Sequence, residues 1–543
     1  MQRIRCIMER MFKIAKIRGG GISDLLLIVL VAAQLALVFF TQKTVVINVD
    51  GIFSYTLSNN PYTYVFIDDI YEAFPNNNGW IDARILKENY VVETYDRFNY
   101  GAVYHHQRYD VHPPLYYFAV HTVSSLFPGA YSNMFTLGIN LAALLLADLL
   151  VIRLFKLLYG SGFCGLVPLF FLVSMEPMRF LFTWARMYML LFLFCLWYLY
   201  IHARLVKSLW RRRDLIQMVL CIFLGTMTHY YFYVYAGALT LLALIFLIRR
   251  RRLRALLAYM YAGVTGFAIS WIFYPWALFH IFLNAQNKHA DVEGWSLEKG
   301  KAYAGFLVDR LFGDNGAGWV LLLFWCAGMF FAIRAKGDEE GEWRHVFRKM
   351  AAGSGLIYSL VIYTLDGGNL YYMTALYMAF IVWASMVLLD LCMGAGISWK
   401  KNAVRIGMAL IGAGVICSGT VLCRYVSSAG EVLECMYEGA PLADDFRQTP
   451  AVYHDYSCLY IEKRRDNLFH NYWFDFGQYR RFKKISMEEF SLHGIGEEEL
   501  RGCEGEGIVV YAPKECELDG RRYRRIAEDA DYRIYEYLGG GPL

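Results

Sequence analysis

Asp50 stands in the string Val-Ile-Asn-Val-Asp-Gly-Ile-Phe-Ser-Tyr, ten residues past an apolar run that covers Leu25 to Phe40. A carboxylate there either solvates or caps a helix end, or faces a substrate carried in the bilayer as a proton acceptor. Asp110 and His112 stand in Tyr109-Asp-Val-His-Pro-Pro-Leu-Tyr-Tyr-Phe118. Arg186 stands in Trp184-Ala-Arg-Met-Tyr-Met-Leu, between two apolar runs, where it either snorkels to the interface or makes a bidentate contact with phosphate. His229 and Tyr230, in Thr228-His-Tyr-Tyr-Phe232, and Tyr372, in Asp366-Gly-Gly-Asn-Leu-Tyr-Tyr, fall between later runs. Aromatics at such places form interfacial belts or line a groove for a lipid headgroup. His105, His106, Asp110 and His112 together would suit Zn²⁺ or Mn²⁺, although adjacent histidines rarely both ligate one ion.

The elements that position these residues are membrane spans. Of 543 residues 57% are hydrophobic and 19% charged, with a mean hydropathy of +0.32. A soluble chain carries about 25% charge. Apolar runs recur at about 25–40, 135–152, 163–182, 188–202, 215–230, 231–248, 255–282, 317–333, 351–365, 371–393 and 403–422, which is eleven spans. Placing the N-terminus in the cytoplasm puts Arg153/Lys156, Arg204–Arg213, Arg249–Arg254, Arg334–Lys349 and Lys400–Arg405 all inside, as the positive-inside rule requires. The odd count puts the C-terminus outside. Residues 42–134 then form a large first outer loop. The helix that Pro113-Pro114 starts, ending near Phe127, is too short and polar to span and should lie along the interface.

Beyond residue 425 the composition becomes that of a soluble domain. Residues 424–543 hold 16 Lys and Arg against 23 Asp and Glu, while the rest of the chain holds 37 against 25. AVYHDY, GIVVYAP and YRIYEYL read as strands, Asn467–Phe476 and Glu497–Leu500 as helices. The expected division is 1–425, membrane domain with the first outer loop, and 426–543, a small extracytoplasmic α/β domain. Twelve cysteines show no CxxC pair, and Cys435, Cys458, Cys503 and Cys516 lie in the polar tail, where an outer location would permit pairing.

The motifs around Asp50, Asp110–Phe118 and Trp184–Leu190 resemble the GT-C superfamily of membrane glycosyltransferases, and are most similar to its protein O-mannosyltransferase and aminoarabinose transferase branch. The resemblance covers about residues 1–425 in order and topology. It implies an all-α polytopic fold and a donor made of a monosaccharide on a polyprenyl phosphate. It also implies an acidic residue of the first outer loop as base, and residues of the later outer loops around the lipid phosphate. The chain departs from relatives in having Gly51 after Asp50, where some carry an Asp-Glu pair. Tyr371 stands before Tyr372, where relatives often carry Arg.

The chemistry agrees with these residue types. Glycosyl transfer from a lipid phosphate needs a base on an acceptor hydroxyl and donors on the departing phosphate. Direct displacement places base and leaving group on opposite faces of the sugar, hence inversion. The expectation is a hexosyl- or pentosyltransferase in the cell membrane, with Asp50 and Asp110 catalytic and His112, Arg186, His229, Tyr230 and Tyr372 binding substrate. No cofactor is expected, with a divalent metal as the alternative, and the acceptor is a lipid, glycan or protein. No Gly-rich phosphate loop follows a strand, and the basic clusters read as topology signals rather than a nucleic-acid surface. Two rivals stand: a transporter or lipid flippase, for which Asp148 and Glu176 are the main charges within spans, and a non-catalytic scaffold.

Overall fold

A computed structural model describes residues 27–29, 31–32, 34–36, 49–62, 79–110, 112–175, 178, 181–182, 184–208, 210–282, 297–312, 339–366, 370–394, 451–453, 455–463, 473–495, 500, 506–528 and 531–539. In chain order the elements are α1 (Val49–Asn59), β1 (Ile81–Asp82), α2 (Arg84–Glu88), α3 (Tyr100–Tyr109), α4 (Leu115–Leu126), α5 (Met134–Tyr159), α6 (Leu166–Ser174), α7 (Tyr188–Val206), α8 (Arg212–Thr226), α9 (Tyr231–Arg249), α10 (Leu253–Phe273), α11 (Trp276–Phe282), α12 (Leu297–Phe312), α13 (Glu339–Asp366), α14 (Thr374–Gly394), β2 (Ser457–Glu462), α15 (Trp473–Phe476), β3 (Arg481–Ser486), α16 (Met487–His493), β4 (Ile508–Pro513), β5 (Tyr523–Glu528) and β6 (Tyr532–Tyr537). Two compact units contain them. The membrane unit is Met1–Gln42, Val111–Tyr116 and Leu137–Leu422; the sheet unit is Lys43–Asp110, Tyr117–Thr136 and Cys423–Leu543.

Five helical stretches among the described residues are long and apolar enough to cross a membrane: Met134–Tyr159, Tyr188–Val206, Tyr231–Arg249, Leu253–Phe273 and Tyr371–Asp390. The expected spans at 317–333 and 403–422 lie outside the described residues, and so does the expected domain boundary at 425. α8, at 15 residues, is shorter than a typical span, and α13 opens on the charged string EEGEWRHVFRK before its apolar half. α7 and α14 are the inner helices, with 83% and 78% of their apolar windows buried, whereas α10 has 22% buried. An all-round apolar helix with that much open surface has lipid as its solvent.

The sheet unit carries a six-stranded sheet in the order β1-β3-β2-β4-β6-β5. β2 pairs parallel with β3 and β4; the other neighbours are antiparallel. β4, IVVYAP, is buried at every position because both its neighbours and both its faces are covered. The outer strand β5 carries Arg524, Arg525 and Glu528 and has a register shift between Arg525 and Ala527, which blunts it as a pairing edge. Strands at GIVVYAP and YRIYEYL are as expected. AVYHDY is instead a short 3₁₀ turn, Ala451–Tyr453, and the strand begins four residues later at Ser457. Cys458 and Cys516 are buried free thiols.

The sheet is built from both ends of the chain. β1 comes from the stretch 42–134 and pairs with β3, Ile81 opposite Phe482. Trp80 enters the sheet's apolar core beside Leu459, Val510 and Tyr535. Lys43–Asp110 and Tyr117–Thr136 therefore form one compact unit with the C-terminal residues, where sequence reasoning had grouped all of 42–134 with the membrane helices.

Candidate functional site

The two units divide the sequence-predicted residues. Asp50 and Asp110 belong to the sheet unit; His112, Arg186, His229, Tyr230 and Tyr372 belong to the membrane unit. Asp50 lies half-buried in the first turn of α1, and its carbonyl accepts the Ser54 hydroxyl at 3.2 Å. Asp110 is the residue at which α3 ends. Its backbone is extended there, and its N–H donates to the His106 carbonyl at 3.0 Å.

In the membrane unit the residues converge. The His112 ring lies 5.8 Å from the His229 ring, and Tyr188 lies 5.6 Å from His229, 5.0 Å from Tyr371 and 6.1 Å from Tyr372. Tyr231 meets Tyr372 edge to face at 5.0 Å, and Trp184 stacks on Tyr371 at 5.4 Å. Three helix beginnings supply these rings: Tyr188 opens α7, Tyr231 opens α9, and the 3₁₀ turn Leu370–Met373 leads into α14. A helix N-terminus carries partial positive charge and unpaired N–H groups. Three of them on one cluster, with Arg186 two residues before α7, make an electropositive end suited to a phosphate.

Local bonding holds the cluster. The Asn140 side-chain amide donates to the carbonyls of Phe182 (3.2 Å) and Trp184 (2.8 Å), fixing the segment that delivers Arg186. The Leu115 N–H donates to the Met227 carbonyl at 2.9 Å, tying the His112-Pro-Pro segment to the turn that carries His229. That turn needs Gly225, since a Cβ there would lie 2.5 Å from the Phe232 ring at the start of α9. Tyr358 donates to the Tyr372 carbonyl and Thr374 to that of Tyr371.

His229 is 5% exposed, and burial first, then the nearby His112 and Arg186, push its pKa well below the usual imidazole value. It is neutral at physiological pH. The Tyr231 N–H donates to its Nδ1 at 3.0 Å, so the proton resides on Nε2, which is a donor. Arg186, 8% exposed, adds a fixed positive charge. The cluster thus offers donors and cationic character inside an aromatic wall. Tyr230 turns away from it, its hydroxyl bonding His280 Nδ1 at 2.7 Å at α11.

Among the described residues no group of three or more His, Cys, Asp or Glu side chains converges to hold a metal ion. His106 Nε2 lies 2.5 Å from the Tyr62 carbonyl and His112 sits against His229. Sequence reasoning missed Trp184, Tyr188, Tyr231 and Tyr371. Two of them, Trp184 and Tyr188, stand in the same heptapeptide as Arg186. Tyr371, which stands where relatives often carry Arg, packs as an aromatic against Trp184.

Two crystal structures of ArnT from Cupriavidus metallidurans share this architecture. The form bound to undecaprenyl phosphate matches with a TM-score of 0.50 at 10% identity, over 95% of this chain and 99% of that one. The apo form matches with a TM-score of 0.50 at 12% identity, over 96% and 100%. The chain has the ArnT fold. The match runs through both units rather than the membrane helices alone. No protein-family model matches the chain, and no curated protein does.

Proposed function

We propose that this protein is a membrane glycosyltransferase that moves a monosaccharide from a polyprenyl phosphate to an acceptor at the outer face of the membrane. The observation that carries the reading is the set of three helix N-termini, Arg186 and the neutral, Nε2-protonated His229 at one end of an ArnT-fold bundle. The relative with this fold was crystallised with undecaprenyl phosphate.

In this reading Arg186, His229 Nε2–H and the helix N-termini hold the donor phosphate, with His112 and the rings of Tyr188 and Tyr372 around it. Asp50 takes the proton from the acceptor hydroxyl. The acceptor oxygen attacks the anomeric carbon, the bond to the phosphate oxygen breaks, and polyprenyl phosphate leaves with the charge that Arg186 neutralises. Attack opposite the leaving group inverts the anomeric centre. Asp110, the other carboxylate in the same unit, is assigned to positioning Asp50.

The test is native mass spectrometry of the purified protein with undecaprenyl phosphate, followed by incubation with undecaprenyl-phosphate-linked monosaccharides. Saturable binding, together with release of undecaprenyl phosphate in step with acceptor glycosylation, supports the reading. Binding and transbilayer movement of the intact lipid without cleavage of the sugar–phosphate bond would make the protein a flippase instead.

A further inference from the structure

The sheet unit contains a mechanical link that sequence reasoning gave no reason to expect. We propose that Tyr90 is a positioning residue through which the C-terminal sheet holds α1, the helix that carries Asp50. The positioning role rests on Asp50 being the base; the link itself does not.

Tyr90 is 1% exposed and is gripped from the C-terminal side. Gly477, between α15 and β3, approaches so closely that a Cβ there would lie 2.6 Å from the Tyr90 hydroxyl and 3.1 Å from the Lys87 backbone. The Gln478 side-chain amide donates to the Tyr90 hydroxyl at 3.4 Å. The Ala83 N–H donates to the Arg480 carbonyl at 3.3 Å, and the pairing of β1 with β3 fixes the same stretch from its other side.

Tyr90 in turn grips α1 by two routes. Its carbonyl accepts the Asn59 side-chain amide at 2.9 Å, and the same amide donates to Ser124 Oγ at 3.0 Å. Its ring meets Tyr131 edge-on at 5.7 Å, and Tyr131 meets Tyr55 of α1 edge-on at 5.0 Å. The Tyr55 hydroxyl donates to the Ser132 carbonyl at 2.7 Å. Gly477, Tyr90, Asn59, Ser124, Tyr131 and Tyr55 are all buried or half-buried, so a displacement at residue 477 has no slack to absorb it before α1.

The experiment is hydrogen exchange by mass spectrometry on the full-length protein. Gly477→Ala drives a methyl group against the Tyr90 hydroxyl, an overpacking that should open residues 81–92 and 49–59 about tenfold more often. Strands β4 and β6 and the undecaprenyl phosphate affinity should be unchanged. Adding Tyr90→Phe removes the oxygen that the methyl meets, so the double variant should recover much of the lost protection over 49–59. Merely local damage to the sheet would not be rescued in this way. If Gly477→Ala fails to fold, Asn59→Ala cuts the hydrogen-bonded one of the two routes to α1 and should speed exchange over 49–59 but not over 84–92. Unchanged protection of 49–59 in the folded variants would overturn the proposal. Loosening of α1 by Gly477→Ala, with turnover retained in Asp50→Asn, would uphold the link and refute the base.

Discussion

The backbone N–H of Tyr231 donates to Nδ1 of His229 at 3.0 Å, and this one bond decides which ring nitrogen carries the proton. Burial keeps the imidazole neutral, so Nε2–H is a neutral donor among the rings of His112, Tyr188 and Tyr231. A donor that needs no protonation works across the whole neutral range.

His229→Ala should therefore weaken undecaprenyl phosphate binding by at least roughly tenfold, the lower end for a hydrogen bond to an ionised acceptor. His229→Gln keeps an N–H donor and should restore part of it. Because the pKa of His229 is pushed down, no ionisation near pH 6.5 in the binding profile should disappear in either variant. A profile that loses such a step would show that His229 binds as imidazolium.

Asp50→Asn should abolish transfer and leave undecaprenyl phosphate binding intact. The substitution keeps the shape and removes the proton acceptor, so the loss falls on the chemical step. Near-normal turnover by the purified variant would pass the role to Asp110.

Burial holds the pKa values of His106 and His121 below the usual imidazole value; neighbouring histidines lower them further and Asp96 partly opposes. Both groups lie in the sheet unit. The folded state keeps them neutral while the unfolded chain protonates near pH 6.5. Their contribution to stability is thus present above that pH and lost as pH falls below it. Thermal unfolding followed from pH 7.5 to 5 should show a falling midpoint. His121→Asn should flatten that fall, and an unflattened curve would assign it to other groups.

A tag placed at Leu543 should be reached by external protease or antibody in intact cells. The motive is the agreement of five basic clusters with a cytoplasmic N-terminus and an odd number of spans. Protection of the tag would reverse the topology, and with it the side on which the acceptor is met.

The parts of the fold that were legible in the sequence are those with local signals. Pro113-Pro114 announces α4, the leucine-rich runs announce α5, α7, α9 and α10, and the alternation of YRIYEY announces β6. β2 was placed too early because SCLYIE, buried on both faces between β3 and β4, shows no alternation. β1 is two residues long and finds its partner about 400 residues away, so no window of sequence could reveal it. The site divides in the same way. Arg186 and His229 were visible as polar residues at span ends, but the stacking of Tyr371 on Trp184 and the turning of Tyr230 to His280 are set by which helices pack together.

Arg186 gives the sharpest quantitative test of the phosphate site. The residue is 8% exposed, two residues before α7, on a segment clamped by Asn140. A charge-assisted contact contributes about 1.5–3 kcal/mol net. Arg186→Ala should then lower kcat/KM for the polyprenyl-phosphate sugar by roughly 10- to 150-fold, at about 1.4 kcal/mol per decade. Arg186→Lys keeps the charge but not the planar fork, and should recover only part of that loss. Asn140→Ala should move in the same direction by a smaller factor, because it frees the segment without removing the cation. Unchanged kinetics in Arg186→Ala would make this residue an interfacial anchor and leave the three helix N-termini and His229 as the phosphate's remaining partners.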